Sequence, residues 1–294
     1  MLIARLIADT ATSETRLDAL AGALAEAGIP LEAAAMPEGD DGVLELRLGE
    51  GDPAAVLDAI DSVFAPSAML VARDAIEVPG LFVSDMDSTM IGQECIDELA
   101  DYAALKPQIA AITERAMQGE LDFEAALRER VALLEGLDES AIHACLADRI
   151  TAMAGAKTLV ATLAALGTRT VLVTGGFHHF ADPVAKMLGF DRVVGNRLAV
   201  DRGKLTGGLI GPITDSAVKA AVLREELAAL GEGAHSLATG DGANDIPMIE
   251  AATYGFAYCA KPKARAAANG RIDAGDLTAV LRLLGVPRSE WRDA

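Results

Sequence analysis

Residues 81–89 read Leu81-Phe82-Val83-Ser84-Asp85-Met86-Asp87-Ser88-Thr89, a short apolar run that ends in two carboxylates two residues apart. Leu81, Phe82 and Val83 are apolar without alternation, the pattern of a strand buried on both faces of a parallel sheet. Asp85 and Asp87 follow where that strand ends. Residues i and i+2 of an extended chain point the same way, so two like charges enter one space. That is costly unless a cation lies between them or one of them keeps a proton. A metal beside an acid/base carboxylate meets both conditions. An Asp-rich turn is the bland alternative, because DxD alone is a common pattern.

Downstream, residues 93–150 are helical in pattern throughout. One helix runs through Ile96, Leu99, Ala100 and Tyr102, a second through Ile109, Ile112 and Met117, a third through Phe123, Leu127, Val131 and Leu134, and a fourth through Ile142, Cys145 and Leu146. Such a block between two strands of one sheet is a cap insertion. Strands and helices then alternate. The pattern predicts a helix over 156–166, a buried strand over 168–174, a turn at Gly175-Gly176 and a helix over 177–188. A hairpin over 193–209 turns at Asp201-Arg202-Gly203, and helix 216–230 carries Lys219. Strand 236–239 precedes the loop Gly240-Asp241-Gly242-Ala243-Asn244-Asp245. A helix through Met248 and Ile249, a strand over 252–257 and a closing helix over 276–284 complete the chain. This predicts an α/β fold: a three-layer, Rossmann-like core with a helical cap inserted after the first strand.

Upstream, strand 2–8 leads to a helix capped by Thr12 or Ser13, with Leu17, Leu20, Ala21 and Leu24 along one face. Strands follow over 31–36 and 42–50, then a helix opening at Asp52-Pro53 and a strand over 67–72. The order β-α-β-β-α-β predicts a ferredoxin-like α+β domain. We place this domain at 1–76 and the α/β domain at 77–294, with its core at 77–92 and 154–294 and its cap at 93–153. The N-terminal layout suits a folding or dimerising module and an amino-acid sensor equally, because fold does not choose function.

Composition narrows the classes. Of the 294 residues, 51% are hydrophobic and 23% charged, which fits an ordered globular chain. The net charge of −19 argues against nucleic acid or an anionic membrane as partner. Residues 1–80 carry 15 acids against 4 bases, so the N-terminal part is much the more acidic per residue. Cys95, Cys145 and Cys259 form no CxxC, and reduced thiols of a cytoplasmic protein are expected. No apolar run reaches the ~18 residues that cross a bilayer.

Ligands of open α/β sheets bind at the carboxyl ends of the strands. The Asp85–Thr89 stretch, Thr174-Gly175-Gly176 and the loop from Gly240 to Asp245 all fall there, and Lys219 can approach from its helix. Taken separately these are a turn, a loop and one lysine among 25 bases. In conjunction they equip the chain for phosphoryl transfer, where positioning and charge neutralisation do most of the catalysis. A hydroxyl and backbone N–H groups beside glycines suit phosphate oxygens. Lysine supplies compact positive charge. Asp85, Asp87 and Asp241 are hard oxygen donors of the kind Mg²⁺ takes.

The motifs FVSDMDST, TGG, Lys219 and GDGANDIPMI resemble the four motifs of the haloacid dehalogenase-like hydrolases over roughly residues 80–285. Within that family the chain is similar to the branch acting on O-phospho-L-serine, at the last step of L-serine biosynthesis. The resemblance implies Asp85 as nucleophile and Asp87 as general acid/base. It implies one Mg²⁺ held by Asp85, Asp241 and the backbone carbonyl of Asp87, with Asp245 in support. It places Thr174, Gly175 and Lys219 on the phosphate, assisted by Asn244. Thr174 stands where the pattern most often has Ser, and keeps the hydroxyl. Members that cleave carbon–halogen bonds lack the second Asp, so Asp87 points to phosphate chemistry.

A phosphorylated amino acid also presents an ammonium and a carboxylate. Glu94 can meet the first and Arg130 can grip the second bidentately. Both match the family's substrate positions, as Met117 and Phe123 match its apolar lid. The competing readings are a helix cap for Glu94 and a surface ion pair for Arg130, with Arg128 a neighbouring rival. The N-terminal domain resembles ACT-type amino-acid-binding modules, through which a homodimer is expected. Two other functions compete: a phosphatase of this fold for another small phosphomonoester, and a non-catalytic amino-acid sensor.

Overall fold

The strand of the opening motif lies inside one sheet that has eleven strands among the described residues. The structure, a computed structural model, describes residues 1–9, 13–37, 42–117 and 120–292, and no side chain at 13, 14, 116 or 117. The N-terminal part runs β1 (Leu2–Ile7), α1 (Ser13–Glu26), β2 (Leu31–Ala35), β3 (Val43–Leu48), α2 (Pro53–Phe64) and β4 (Ala68–Ala72). After β5 (Leu81–Ser84) come α3 (Cys95–Tyr102), α4 (Lys106–Met117), α5 (Phe123–Ala132) and α6 (Ser140–Arg149), with no named strand among them. The core then runs α7 (Ala156–Ala165), β6 (Arg169–Phe177), α8 (His178–Leu188), β7 (Arg192–Asp201), β8 (Lys204–Ile210) and α9 (Ser216–Leu230). It closes through β9 (Ser236–Gly240), α10 (Ile246–Ala251), β10 (Tyr254–Tyr258), α11 (Pro262–Ala267), β11 (Gly270–Ile272) and α12 (Ala279–Leu284). Among the described residues, no helix is long and apolar enough to cross a membrane.

The α/β fold with a helical cap is as the pattern predicted. The period of two along β5 explains the layers. Leu81 and Val83 pack with Val222 and Leu223 of α9 and Met248 of α10, while Phe82 faces Leu159 and Leu163 of α7 and Phe180 of α8. Both faces are thus covered, which is why the strand reads as a continuous apolar run. In the N-terminal part Leu2, Ala4 and Leu6 pack against Leu20, Leu24, Val56 and Ile60 of the two helices. Asp52 caps α2 by accepting from Ala54 N at 3.1 Å, ahead of Pro53 at the first helical position. Thr12 lies outside the described residues.

The two units read from the sequence share a single sheet, ordered β2-β3-β1-β4-β11-β10-β9-β5-β6-β7-β8. The join is an antiparallel pairing of β4 with β11, with Leu70 opposite Gly270. No expectation covered α11 and β11, because six-residue and three-residue elements are too short for a periodic signal. Two boundaries also differ. The Thr174-Gly175-Gly176 segment is the end of β6 and not a turn, with a register shift against β7 between Val173 and Phe177. The glycines allow this irregularity inside the strand. The closing helix starts at Ala279, because the Asp276 carboxylate accepts from Thr278 N at 2.8 Å and holds an Asx turn instead.

Candidate active site

The carboxyl ends of β5, β6 and β9 border a cavity of ≈ 130 Å³ closed on its far side by α3 and α5. Asp85, Asp87, Glu94, Phe123, Arg130, Thr174, Gly175, Asp241 and Asn244 all line it, so the structure gathers nine residues from five separate stretches. Lys219 and Asp245 do not line it. They lie behind it, 1% and 0% exposed. The Met117 side chain lies outside the described residues.

The floor is tied together by buried polar contacts. Asp85 N donates to Thr239 O at 2.9 Å, and Thr239 Oγ1 donates to Ser84 Oγ at 2.7 Å, locking β5 to β9 under the carboxylate. Lys219 Nζ stands 2.7 Å from Asp85 Oδ1 and donates to Asp245 Oδ1 at 2.8 Å. Asp245 Oδ2 accepts from Asp241 N at 3.2 Å and Gly242 N at 3.0 Å, which shapes the loop. Gly240 is required for this, since a Cβ there would sit 2.5 Å from the Asp245 side chain. On β6, the Thr174 hydroxyl accepts from Gly176 N at 2.9 Å. Asn196 donates to Gly175 O at 2.8 Å and accepts from Thr214 N at 2.9 Å, fixing the peptide beside the cavity. Asn196 had no signal in the sequence, because its role depends on β7 lying next to β6.

Charge in this floor is only partly balanced. Burial first, then the Asp245 carboxylate, pushes the Asp85 carboxyl well above its ordinary range, against the pull of Lys219. Burial, then Glu94, pushes Asp87 up to about 7. Burial, then Asp245, pushes Asp241 up to about 6. Burial would strip Lys219 of its proton, but Asp85 and Asp245 outweigh it and hold its pKa above the ordinary value.

A cation fits this arrangement. Oxygens of Asp85, Asp241 and Asp245 lie within 4.8 Å of one another. Asp85 Oδ1 and Asp87 Oδ1 are buried, and apart from the Lys219 ammonium 2.7 Å from the former neither has a polar partner among the described residues. Hard anionic oxygens left unsatisfied in a polar pocket are the donor set of a divalent metal. The Asp245 oxygens already carry donors from Lys219 and the loop, which suits a supporting place.

The cap wall is held more loosely. Ser88, at φ +54°, donates from Oγ to Glu94 Oε1 at 2.7 Å. Glu94 stands at the N-cap of α3 but makes no side-chain cap bond, so the capping alternative fails. Arg130 is half-buried, its Nε donating to Ala126 O at 3.2 Å, with Asp97, Glu94 and Asp87 as the nearby acids. It is Arg128 that makes the surface pair, 2.7 Å from Glu124 one turn away, and Arg128 does not line the cavity. Phe123 caps the opening beside Gly175, where a Cβ would come within 3.2 Å of its ring. Ile96, Leu127 and Lys261 also line the cavity and were not anticipated.

A parallel sheet with paired carboxylates, a buried lysine and an acidic cluster at its carboxyl edge, under a helical cap, defines a capped α/β enzyme with a metal-capable floor. The chain belongs to the haloacid dehalogenase-like hydrolases, whose family model matches residues 82–250. It is 46% identical over 209 residues to the phosphoserine phosphatase of Streptococcus thermophilus, spanning 71% of this chain and 97% of that protein. The structure of a probable phosphoserine phosphatase from Vibrio cholerae matches with TM-score 0.74 at 29% identity, over 98% of this chain and 87% of that one. A phosphoserine phosphatase solved as an analogue of its phospho-aspartyl intermediate matches with TM-score 0.63 at 35% identity, over 70% of this chain and 99% of that one.

Proposed function

We propose that the chain is a Mg²⁺-dependent phosphoserine phosphatase, which hydrolyses O-phospho-L-serine to L-serine and phosphate. One observation supports the substrate: Asp85 and Thr174 line the cavity together with one acid and one base from the cap, Glu94 and Arg130. That pair matches the ammonium and carboxylate of an amino acid. Asp85, Asp241 and the Asp87 carbonyl would hold Mg²⁺, which when bound supplies positive charge to the phosphoryl oxygens.

Asp85 attacks phosphorus, the P–O bond to the seryl oxygen breaks, and an aspartyl-phosphate forms. Asp87 gives its proton to that leaving oxygen. Its raised pKa, about 7, suits a group that must hold a proton and then accept one. Asp87 next takes a proton from water, the water oxygen bonds to phosphorus, and the acyl-phosphate bond breaks to return Asp85 and free phosphate. Lys219 holds Asp85 and Asp245 in place throughout. The Thr174 hydroxyl and the Gly175 backbone position the phosphoryl oxygens, with Asn244 assisting. Phe123 and the cap cover the substrate while the first transfer takes place.

With Mg²⁺, the purified chain is expected to release phosphate from O-phospho-L-serine faster than from a panel of sugar phosphates and nucleotides. Equal or better rates on the panel overturn the substrate. Undiminished turnover in EDTA overturns the metal.

A further inference from the structure

We infer that Lys261 is a phosphate-facing cation of this site: its ammonium meets the phosphoryl group from the carboxyl end of β10 and governs affinity for phosphate, product included. The inference rests on the phosphatase reading above. Four neighbouring parallel strands, in the order β10-β9-β5-β6, end at the cavity. Three carry the motifs already described. The fourth runs out at Tyr258, and Lys261 follows three residues on and lines the cavity.

The main chain places it there. Lys261 N donates to Asp241 O at 2.9 Å, so the residue hangs directly on the acidic loop. Two residues before it, Cys259 adopts φ +41°, a left-handed conformation that is strained for a non-glycine residue. Strain of that kind is kept where the turn it makes is needed.

The side chain is free to act. Lys261 is exposed, and among the described residues no carboxylate stands within ion-pair distance of it. Lys219, in contrast, is buried and already held by Asp85 and Asp245. The charged groups lining the cavity are Asp85, Asp87, Glu94 and Asp241 against Arg130 and Lys261. Arg130 stands on the cap wall, so Lys261 is the lining cation at the floor. An anion entering a space with more acids than bases needs it.

The test is Lys261→Gln beside Lys261→Arg, both of which keep the backbone bond to Asp241. Phosphoserine kinetics are followed with Mg²⁺, and inorganic phosphate binding is measured by calorimetry. Lys261→Gln is expected to raise KM and to weaken phosphate binding together, each about tenfold, with kcat falling far less than kcat/KM. Lys261→Arg is expected to restore most of both. Unchanged phosphate binding in Lys261→Gln overturns the inference, as does a loss confined to kcat, or an arginine variant as weak as the glutamine one. If wild type binds phosphate through Lys261 but leaves phosphoserine intact, the substrate assignment falls and the inference stands.

Discussion

The floor of the cavity and its cap wall hold their charges in different ways. On the floor, Asp85, Lys219 and Asp245 are each no more than 4% exposed and are joined in one chain of contacts through two adjacent strands and a helix. On the cap wall, Glu94 and Phe123 are exposed, Arg130 is half-buried, and Glu94 and Arg130 are each held by one hydrogen bond. Groups that make and break bonds need fixed geometry, whereas groups that admit a substrate and release a product must move. The floor sits on strands buried on both sides; the cap sits on helices of 8–12 residues.

The largest effect that this contrast predicts is on the floor. Asp85→Asn should lower turnover by about 10⁴-fold or more and leave no phosphorylated protein in acid-quenched samples read by mass spectrometry. A phosphorylated Asp85→Asn protein would show that the nucleophile is elsewhere.

Asp87→Asn should lower kcat by about 10²–10⁴-fold, the usual range for a general acid/base. It should also change stability with a definite sign. The folded pKa of Asp87, about 7, lies above the usual carboxylate value, so its burden on the fold is absent below about pH 4, grows between pH 4 and 7, and is complete above. In EDTA the variant should melt about 2 °C or more above wild type at pH 8, with a smaller gain at pH 5. Equal melting at both pH values would mean that the carboxyl is not desolvated.

On the cap wall, Arg130→Ala should cut kcat/KM for phosphoserine by about 10²-fold, as expected for losing a charge-assisted pair to a carboxylate. Arg128→Ala, which loses only an exposed pair with Glu124, should change it less than twofold. Equal losses would erase the distinction between the two arginines.

The smallest effect is expected far from both walls. Asp61 on α2 pairs with Arg265 at 2.7 Å and Arg271 at 3.4 Å, bridging the N-terminal part to α11 and β11. Arg271 is 4% exposed and would lose a partner in Asp61→Ala. A fall in melting temperature of about 2–4 °C is expected, with kcat kept within twofold. A tenfold loss of kcat would mean that the junction controls the floor.

Much of this was legible in residue order. The apolar run at Leu81–Val83, the paired Asp85 and Asp87 and the loop from Gly240 to Asp245 are local patterns, and a local pattern survives reading in one dimension. The hairpin turn is another case: Arg202 and Gly203 both have positive φ, as its two central positions require. Asn196 and Lys261 were illegible for the opposite reason. Each acts on a residue far away in the chain, Asn196 on Gly175 and Lys261 on Asp241, because sheet order makes their strands neighbours.

Alternation and motif spacing were enough for the class of fold, the helical cap and the identity of the charged groups, since hydrophobic period and residue chemistry are properties of the chain itself. Three things required packing in space. The N-terminal part joins the core through β4 and β11 rather than standing apart, because a three-residue strand has no pattern of its own. Arg130, and not Arg128, lines the cavity, because two positions on a helix turn the side chain to another face. Asp85 and Asp87, two residues apart and alike in sequence, receive different surroundings: one pairs with Lys219 near the acidic loop, the other accepts from Cys95 N and is exposed to the charge of Glu94. Burial and neighbours, which no run of letters contains, set the two carboxylates apart.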